Sequence, residues 1–176
     1  MENNEVKPAK EKAMEKANLI EVGMADLKIQ AAPGSLITRG LGSCVGMTFY
    51  DPFKKIGAMA HAMLPDINHS KIKSNPARFV NSSIEKILEE FKKQGSVKRH
   101  LEVKLFGGAR MFSFIAADSV LNVGERNVTM AKEVLSGLGI SIVAQDVGGN
   151  FGRTIELNLD TGKVHIKTIY SGEKEA

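Results

Sequence analysis

The clearest fold signal in this chain is an alternation of apolar and polar residues near its end. Ile155, Leu157 and Leu159 are apolar at every second position, and a second segment with alternating apolar residues covers residues 164–169. The four residues between the two runs, DTGK at 160–163, are turn formers. A period of two is typical of a strand with one buried face. The pattern predicts a β-hairpin, so the fold contains a sheet.

Further apolar runs predict more strands and two helices. Short strands are expected at residues 19–22, 26–30, 36–38, 101–106 and 140–147. The first helix is expected to be capped by Asn75, to have Pro76 in its first turn and to end at Gly95. The second helix is expected at residues 125–137. These elements predict a mixed α/β domain in which strands are the majority.

Length and composition limit the class of protein. A chain of 176 residues with 43% hydrophobic residues is expected to form one domain with a substantial core. Residues 1–18 carry four Glu and four Lys, so we expect a flexible charged leader before a single domain at 19–172. The leader does not resemble a secretory signal, and the chain lacks an apolar run long enough to cross a membrane. The net charge of +4 is not accompanied by aromatic residues among basic ones, which argues against nucleic-acid binding.

The single cysteine lies in a glycine-rich stretch, TRGLGSCVGM at 38–47. One cysteine excludes an intrachain disulfide and a multi-cysteine metal site, and it fits a reducing compartment. His69, His100 and His165 do not form a compact ligand pattern with His61, so neither a metal nor another cofactor is expected. Buried cysteines are most often small core residues, and His61 could equally be a core histidine.

A nucleophilic thiol needs a base within reach and backbone donors for an oxyanion. If a turn at residues 51–54 joins two antiparallel strands and pairs the ends of the turn, Cys44 lies directly opposite His61. Gly42 allows sharp backbone geometry before the cysteine, and the N–H groups around Ser43 could face an oxyanion. Either Thr38 or Ser43 could orient the histidine. The pairing with His61 further predicts a lowered pKa for the Cys44 thiol.

Several motifs together resemble the CheD family of chemoreceptor glutamine deamidases. They are GLGSCV at 40–45, MAHAMLP at 59–65, KLFGGA at 104–109, GERN at 124–127 and DVGGNFGR at 146–153. The resemblance implies an α+β fold, a mixed β-sandwich with helices packed outside. It also implies a catalytic triad of Cys44, His61 and Thr38, and so favours Thr38 over Ser43 as the orienting residue.

The resemblance implies hydrolysis of receptor glutamines to glutamates through a cysteine thioester in the cytoplasm, with hydrolysis of receptor methyl esters as a side activity. It further implies binding of CheC, a phosphatase of the response regulator CheY, for which Met111 and Phe112 are candidate contacts unless they pack in the core. The alternative is a non-catalytic protein that mainly binds and stimulates CheC. The chain departs from the family at the start of the first helix, where Phe79 and Asn81 replace a frequent Tyr and Asp.

Overall fold

The described part of the chain forms two five-stranded sheets and two α-helices. The computed structural model describes residues 18–111, 122–170 and 172–176. The strands are β1 Leu19–Glu21, β2 Asp26–Ala31, β3 Ser35–Leu41, β4 Val45–Asp51, β5 Ile56–Ala62, β6 Glu102–Gly107, β7 Ile142–Val147, β8 Arg153–Asn158, β9 Val164–Thr168 and β10 Gly172–Glu175. The helices are α1 Val80–Lys93 and α2 Val123–Gly137. Neither helix is long and apolar enough to cross a membrane.

The two sheets pack face to face, and both helices cover the outer face of one of them. The first sheet has the order β1-β3-β8-β9-β10 and the second has the order β2-β5-β4-β6-β7. One apolar cluster joins α1 and α2 to the second sheet, and another fills the space between the sheets. The expected mixed β-sandwich with helices outside is therefore confirmed.

Strand β4 lies at the centre of the second sheet and is buried along its whole length. Val45, Met47 and Phe49 point toward the helices. Gly46 faces the first sheet, where a Cβ atom on it would lie 2.6 Å from Leu41 Cδ1 and 3.0 Å from Ile155 Cδ1. The first sheet therefore packs closely against β4 at Gly46. Cys44, just before β4, lies in the apolar cluster between the two sheets.

The β4–β5 hairpin has a different register from the one predicted. His61 pairs directly with Gly46 rather than with Cys44. The loop is longer than a two-residue turn because the Asp51 carboxylate accepts the N–H groups of Phe53 and Lys54, at 3.0 and 3.2 Å, and Lys55 adopts a φ of 51°. The register changes by two residues, and an even shift keeps each side chain on the same face of the sheet.

The helix boundaries also differ from the predicted ones. Asn75 caps a short 3₁₀ turn, Pro76–Arg78, instead of the α-helix. Phe79 is extended, with φ −114° and ψ 146°, and forms a bridge with Leu64, so α1 begins only at Val80. Gly95, with φ 75°, follows the end of α1 as expected. At the other end of the chain, β10 adds to the first sheet a strand that the sequence pattern did not predict.

We expect the contact between α2 and the loop after β6 to tolerate no side chain at Gly124. A Cβ atom there would lie 2.5 Å from the Ala109 carbonyl oxygen and 2.7 Å from that of Gly108. Gly124→Ala should lower the free energy of unfolding by about 1–3 kcal/mol. Gly137→Ala is the matched control on the same helix, because a Cβ there meets nothing within 4 Å, and it should raise stability by about 0.5–1 kcal/mol. Urea denaturation measures both, and equal effects would contradict the close approach.

Candidate active site

A histidine from one sheet and a threonine from the other meet inside the sandwich. His61 lies on β5 and Thr38 on β3, and Thr38 Oγ1 is 2.8 Å from His61 Nδ1. Thr38 is fully buried and His61 is 1% exposed. The Thr38 hydroxyl also donates to the Val22 carbonyl oxygen at 2.6 Å.

These two contacts determine which ring nitrogen of His61 carries the proton. A carbonyl oxygen can only accept a hydrogen bond, so the single hydroxyl proton of Thr38 goes to Val22. Thr38 Oγ1 must then accept from His61, and Nδ1 is the protonated nitrogen. The lone pair of the neutral ring is consequently on Nε2, the nitrogen able to remove a proton. Among the described residues, Nε2 has no hydrogen-bond partner.

The cysteine lies just before β4, in the layer between the two sheets. Cys44 is 8% exposed and belongs to the same apolar cluster as Leu41, Met59 and Phe106. Because its position is offset by two residues from Gly46, the direct partner of His61, it lies on the same face of the sheet as His61. The structure therefore brings Thr38 into contact with His61 and puts Cys44 on the same face of the sheet as His61, without a hydrogen bond between the thiol and Nε2.

Burial shifts the pKa of both central groups toward the uncharged form. Desolvation raises the pKa of the Cys44 thiol, and the hydrogen bond from its own backbone N–H opposes this with a smaller effect. Desolvation lowers the pKa of His61. The expected lowering of the Cys44 pKa is thus wrong, because a neutral imidazole supplies no positive charge to stabilise a thiolate. The resting pair is a thiol and a neutral imidazole.

The backbone around the cysteine is held by its carbonyl groups. Gly108 N–H donates to the Cys44 carbonyl and Ala109 N–H donates to the Gly42 carbonyl, both at 2.8 Å. Among the described residues, the Ser43 N–H group has no main-chain acceptor. The Cys44 N–H group bonds only the sulfur of its own residue. Gly42 N–H already donates to the Gly40 carbonyl at 2.9 Å, so Gly42 contributes backbone conformation rather than a free donor.

Two residues that reasoning from the sequence did not assign to the site also contact it. Val22 provides the carbonyl that fixes the Thr38 hydroxyl. Asn127, on α2, donates from Nδ2 to the carbonyl oxygens of Ser43 and Met63, both at 3.0 Å. The GERN motif at 124–127 was a signal for Asn127, but one that does not reveal which carbonyls the amide reaches.

Met111 lies next to the cysteine loop and is 44% exposed. A Cβ atom on Gly42 would be 3.1 Å from Met111 Cγ. Phe112 lies outside the described residues. A cavity of about 810 Å³ includes Met111 in its lining, together with Arg110 and Lys132; as far as the described residues go, neither Cys44 nor His61 lines it. The described ranges contain no group of three or more His, Cys, Asp or Glu side chains arranged to hold a metal ion.

Comparison with known proteins identifies a single family. The family model described as CheD chemotactic sensory transduction matches residues 63–168. The chain is 48% identical over 158 residues to the probable chemoreceptor glutamine deamidase CheD of Caldanaerobacter subterraneus subsp. tengcongensis, covering 90% of this chain and 98% of the relative. It is 46% identical to the protein of the same name in Pyrococcus abyssi, covering 88% and 94%. Among solved structures, the hypothetical protein YfiH of Bacillus licheniformis matches with a TM-score of 0.47 and 12% identity over 71% of this chain and 51% of that one.

We expect the Cys44 thiol to react slowly at neutral pH. Because burial raises its pKa, less thiolate is present at pH 7 than for a free cysteine, whose pKa is about 8.5. Alkylation by iodoacetamide should therefore increase with pH through a midpoint above that of a small free thiol. Labelling is specific because the chain has only one cysteine. A midpoint below that of the free thiol, measured on the folded protein, would contradict the neutral resting pair.

Proposed function

Because the chain belongs to the CheD family, we propose that it is a protein-glutamine deamidase that converts specific glutamines of chemotaxis receptors to glutamates. The relatives' names support the class of reaction. The observation that carries the proposal to individual residues is the Thr38–His61 hydrogen bond, which leaves a basic nitrogen on the face of the sheet that also holds the only cysteine.

In the first half of the reaction, Cys44 attacks the carbon of the glutamine side-chain amide. Nε2 of His61 accepts the thiol proton as the sulfur–carbon bond forms, because the Thr38 contact keeps that nitrogen unprotonated. The tetrahedral intermediate then collapses. His61 returns the proton to the departing nitrogen, ammonia leaves, and a thioester remains on Cys44.

In the second half, water replaces ammonia. His61 is again neutral and takes a proton from a water molecule, which attacks the thioester carbonyl. His61 returns that proton to the sulfur as the carbon–sulfur bond breaks, which leaves a glutamate on the receptor and restores the thiol. One amide and one water are converted to one carboxylate and one ammonium ion, so a neutral side chain of the receptor becomes an anion.

Both tetrahedral intermediates carry a negative oxygen that needs hydrogen-bond donors. The N–H groups of Ser43 and Cys44 are the donors we assign to it, since they are adjacent to the sulfur and are not used by other described main-chain groups. Preorganised backbone donors of this kind supply a large part of the rate enhancement in acyl transfer.

The proposed receptor substrate does not exclude a second protein partner. We propose a CheC-type phosphatase as that partner, with Met111 as a contact because an exposed methionine beside the cysteine loop offers apolar surface next to Gly42. A protein bound there would cover Gly42 and hinder access of a receptor helix. Binding and catalysis would then compete for one surface.

The proposed activity is tested with a purified cytoplasmic fragment of a cognate receptor. Ammonia release and mass-spectrometric detection of Gln-to-Glu conversion should both occur with the wild type. Cys44→Ala and His61→Ala should each lower kcat by about 10⁴-fold or more, as loss of either member of a nucleophile–base pair does. His69→Ala is the control, since its side chain is 82% exposed, and it should leave the rate unchanged. A wild type that is folded but inactive on cognate receptors would favour the alternative of a binding partner.

A second pair of variants tests the role of Thr38. Thr38→Val keeps the shape but removes the oxygen that accepts from His61 Nδ1, so the ring is free to adopt the other tautomer. We expect kcat to fall by roughly 10- to 10³-fold, because general base catalysis as a whole contributes about 10²–10⁴. Thr38→Ser retains the hydroxyl and should keep most of the rate. Equal losses in the two variants would contradict this role, because Thr38→Ser keeps the oxygen and lacks only the methyl group.

A further inference from the structure

The side chain of Asn127 joins the segment that carries the cysteine to the segment that carries the histidine. Asn127 lies in the second turn of α2 and is fully buried. Its Nδ2 group donates one hydrogen bond to the carbonyl of Ser43, next to Cys44, and another to the carbonyl of Met63, two residues after His61. The two acceptors are far apart in the sequence, and a single amide group links them.

The orientation of this amide is fixed by its partners. Both neighbours of Nδ2 are carbonyl oxygens, so the reversed orientation would put three acceptors together. Oδ1 is left buried and, within the described ranges, without a hydrogen-bond partner. An unsatisfied buried oxygen costs free energy. Asn127 is therefore a poor choice for packing alone, which indicates that its two donated hydrogen bonds serve another purpose.

Holding the Ser43 carbonyl also fixes the direction of the Cys44 N–H group. The carbonyl of one residue and the N–H of the next belong to the same planar trans peptide and point in opposite directions. The hydrogen bond from Asn127 directs the Ser43 carbonyl toward α2, so the Cys44 N–H points away from α2. In the same way, the bond from Ala109 to the Gly42 carbonyl sets the direction of the Ser43 N–H.

The position of Asn127 is itself set by close packing of the helix. Gly124, one turn earlier, lies against the carbonyl groups of Gly108 and Ala109. The N–H groups of the same two residues bond the carbonyls on either side of Ser43. The helix, the loop after β6 and the cysteine loop are thus joined by close packing and main-chain hydrogen bonds. Among the described residues, Asn127 provides the only side-chain hydrogen bond to the Ser43 carbonyl.

We propose that Asn127 is a positioning residue whose side-chain amide orients the Cys44 N–H as an oxyanion donor and fixes the cysteine segment relative to the segment that follows His61. The inference rests on the proposed function for the identity of the oxyanion in the natural reaction. Its effect on the Cys44 N–H can be measured without a receptor.

The test compares two reactions of Cys44 in the full chain. Acylation by p-nitrophenyl acetate proceeds through a tetrahedral oxyanion: the sulfur bonds to the acetyl carbon, His61 takes the thiol proton and p-nitrophenolate leaves. Alkylation by iodoacetamide displaces iodide directly and develops no such oxyanion. We expect Asn127→Leu to slow acylation by roughly 10-fold or more, since outright loss of an oxyanion donor costs about 10²–10³, and to change alkylation little. Cys44→Ala provides the background rate.

Two further variants keep the test decisive. Asn127→Ser is too short to reach both carbonyls and decides the outcome if circular dichroism shows that Asn127→Leu does not fold. Ser83→Ala is the matched control. It removes another buried side-chain hydrogen bond, which runs from Ser83 on α1 to the Ala77 carbonyl in the preceding 3₁₀ turn, and it should leave both rates unchanged. Parallel changes in acylation and alkylation, or no change in either, would overturn the proposal. Absence of receptor deamidation in the wild type would instead count against the proposed function.

Discussion

The hydrogen bond between Thr38 and His61 is the contact on which the chemistry of this molecule depends. It crosses from one sheet to the other, so it exists only when the sandwich is closed. The Thr38 hydroxyl has one proton and donates it to Val22, which leaves its oxygen to receive the proton of His61 Nδ1. The main-chain carbonyl of Val22, just after β1, thereby determines that Nε2 is the basic nitrogen. The tautomer of a residue on the second sheet thus depends on a hydrogen bond made by a residue of the first.

The same burial that fixes this geometry makes the resting site unreactive. Desolvation disfavours both the thiolate of Cys44 and the imidazolium of His61, so the pair stays neutral. A neutral pair fits the proposed mechanism, in which proton transfer to His61 accompanies attack on the substrate. In the proposed mechanism, the N–H groups of Ser43 and Cys44, which no other described main-chain group uses, add stabilisation only when negative charge appears on the substrate oxygen.

The sequence predicted the elements of this structure better than their junctions. Alternation of apolar residues identified the hairpin of β8 and β9, and motif resemblance pointed to Cys44, His61 and Thr38. The β4–β5 register was wrong by two residues because the turn formed by Asp51 cannot be distinguished by composition from a shorter one. The same-face relation survived because a strand repeats every two residues. The donors of Asn127 and the carbonyl of Val22 were beyond prediction, since main-chain acceptors leave no mark in the sequence of side chains.

The most direct test of this account is the protonation state of His61 in solution. Long-range ¹H–¹⁵N NMR of the imidazole rings at neutral pH distinguishes the two neutral tautomers from the imidazolium, and comparison with Thr38→Val assigns the His61 signals among the four histidines. The account predicts a neutral ring with its proton on Nδ1 and a titration midpoint below that of an exposed histidine. A proton on Nε2, or an imidazolium at neutral pH, would contradict it, because neither form can take a proton from Cys44 through that nitrogen.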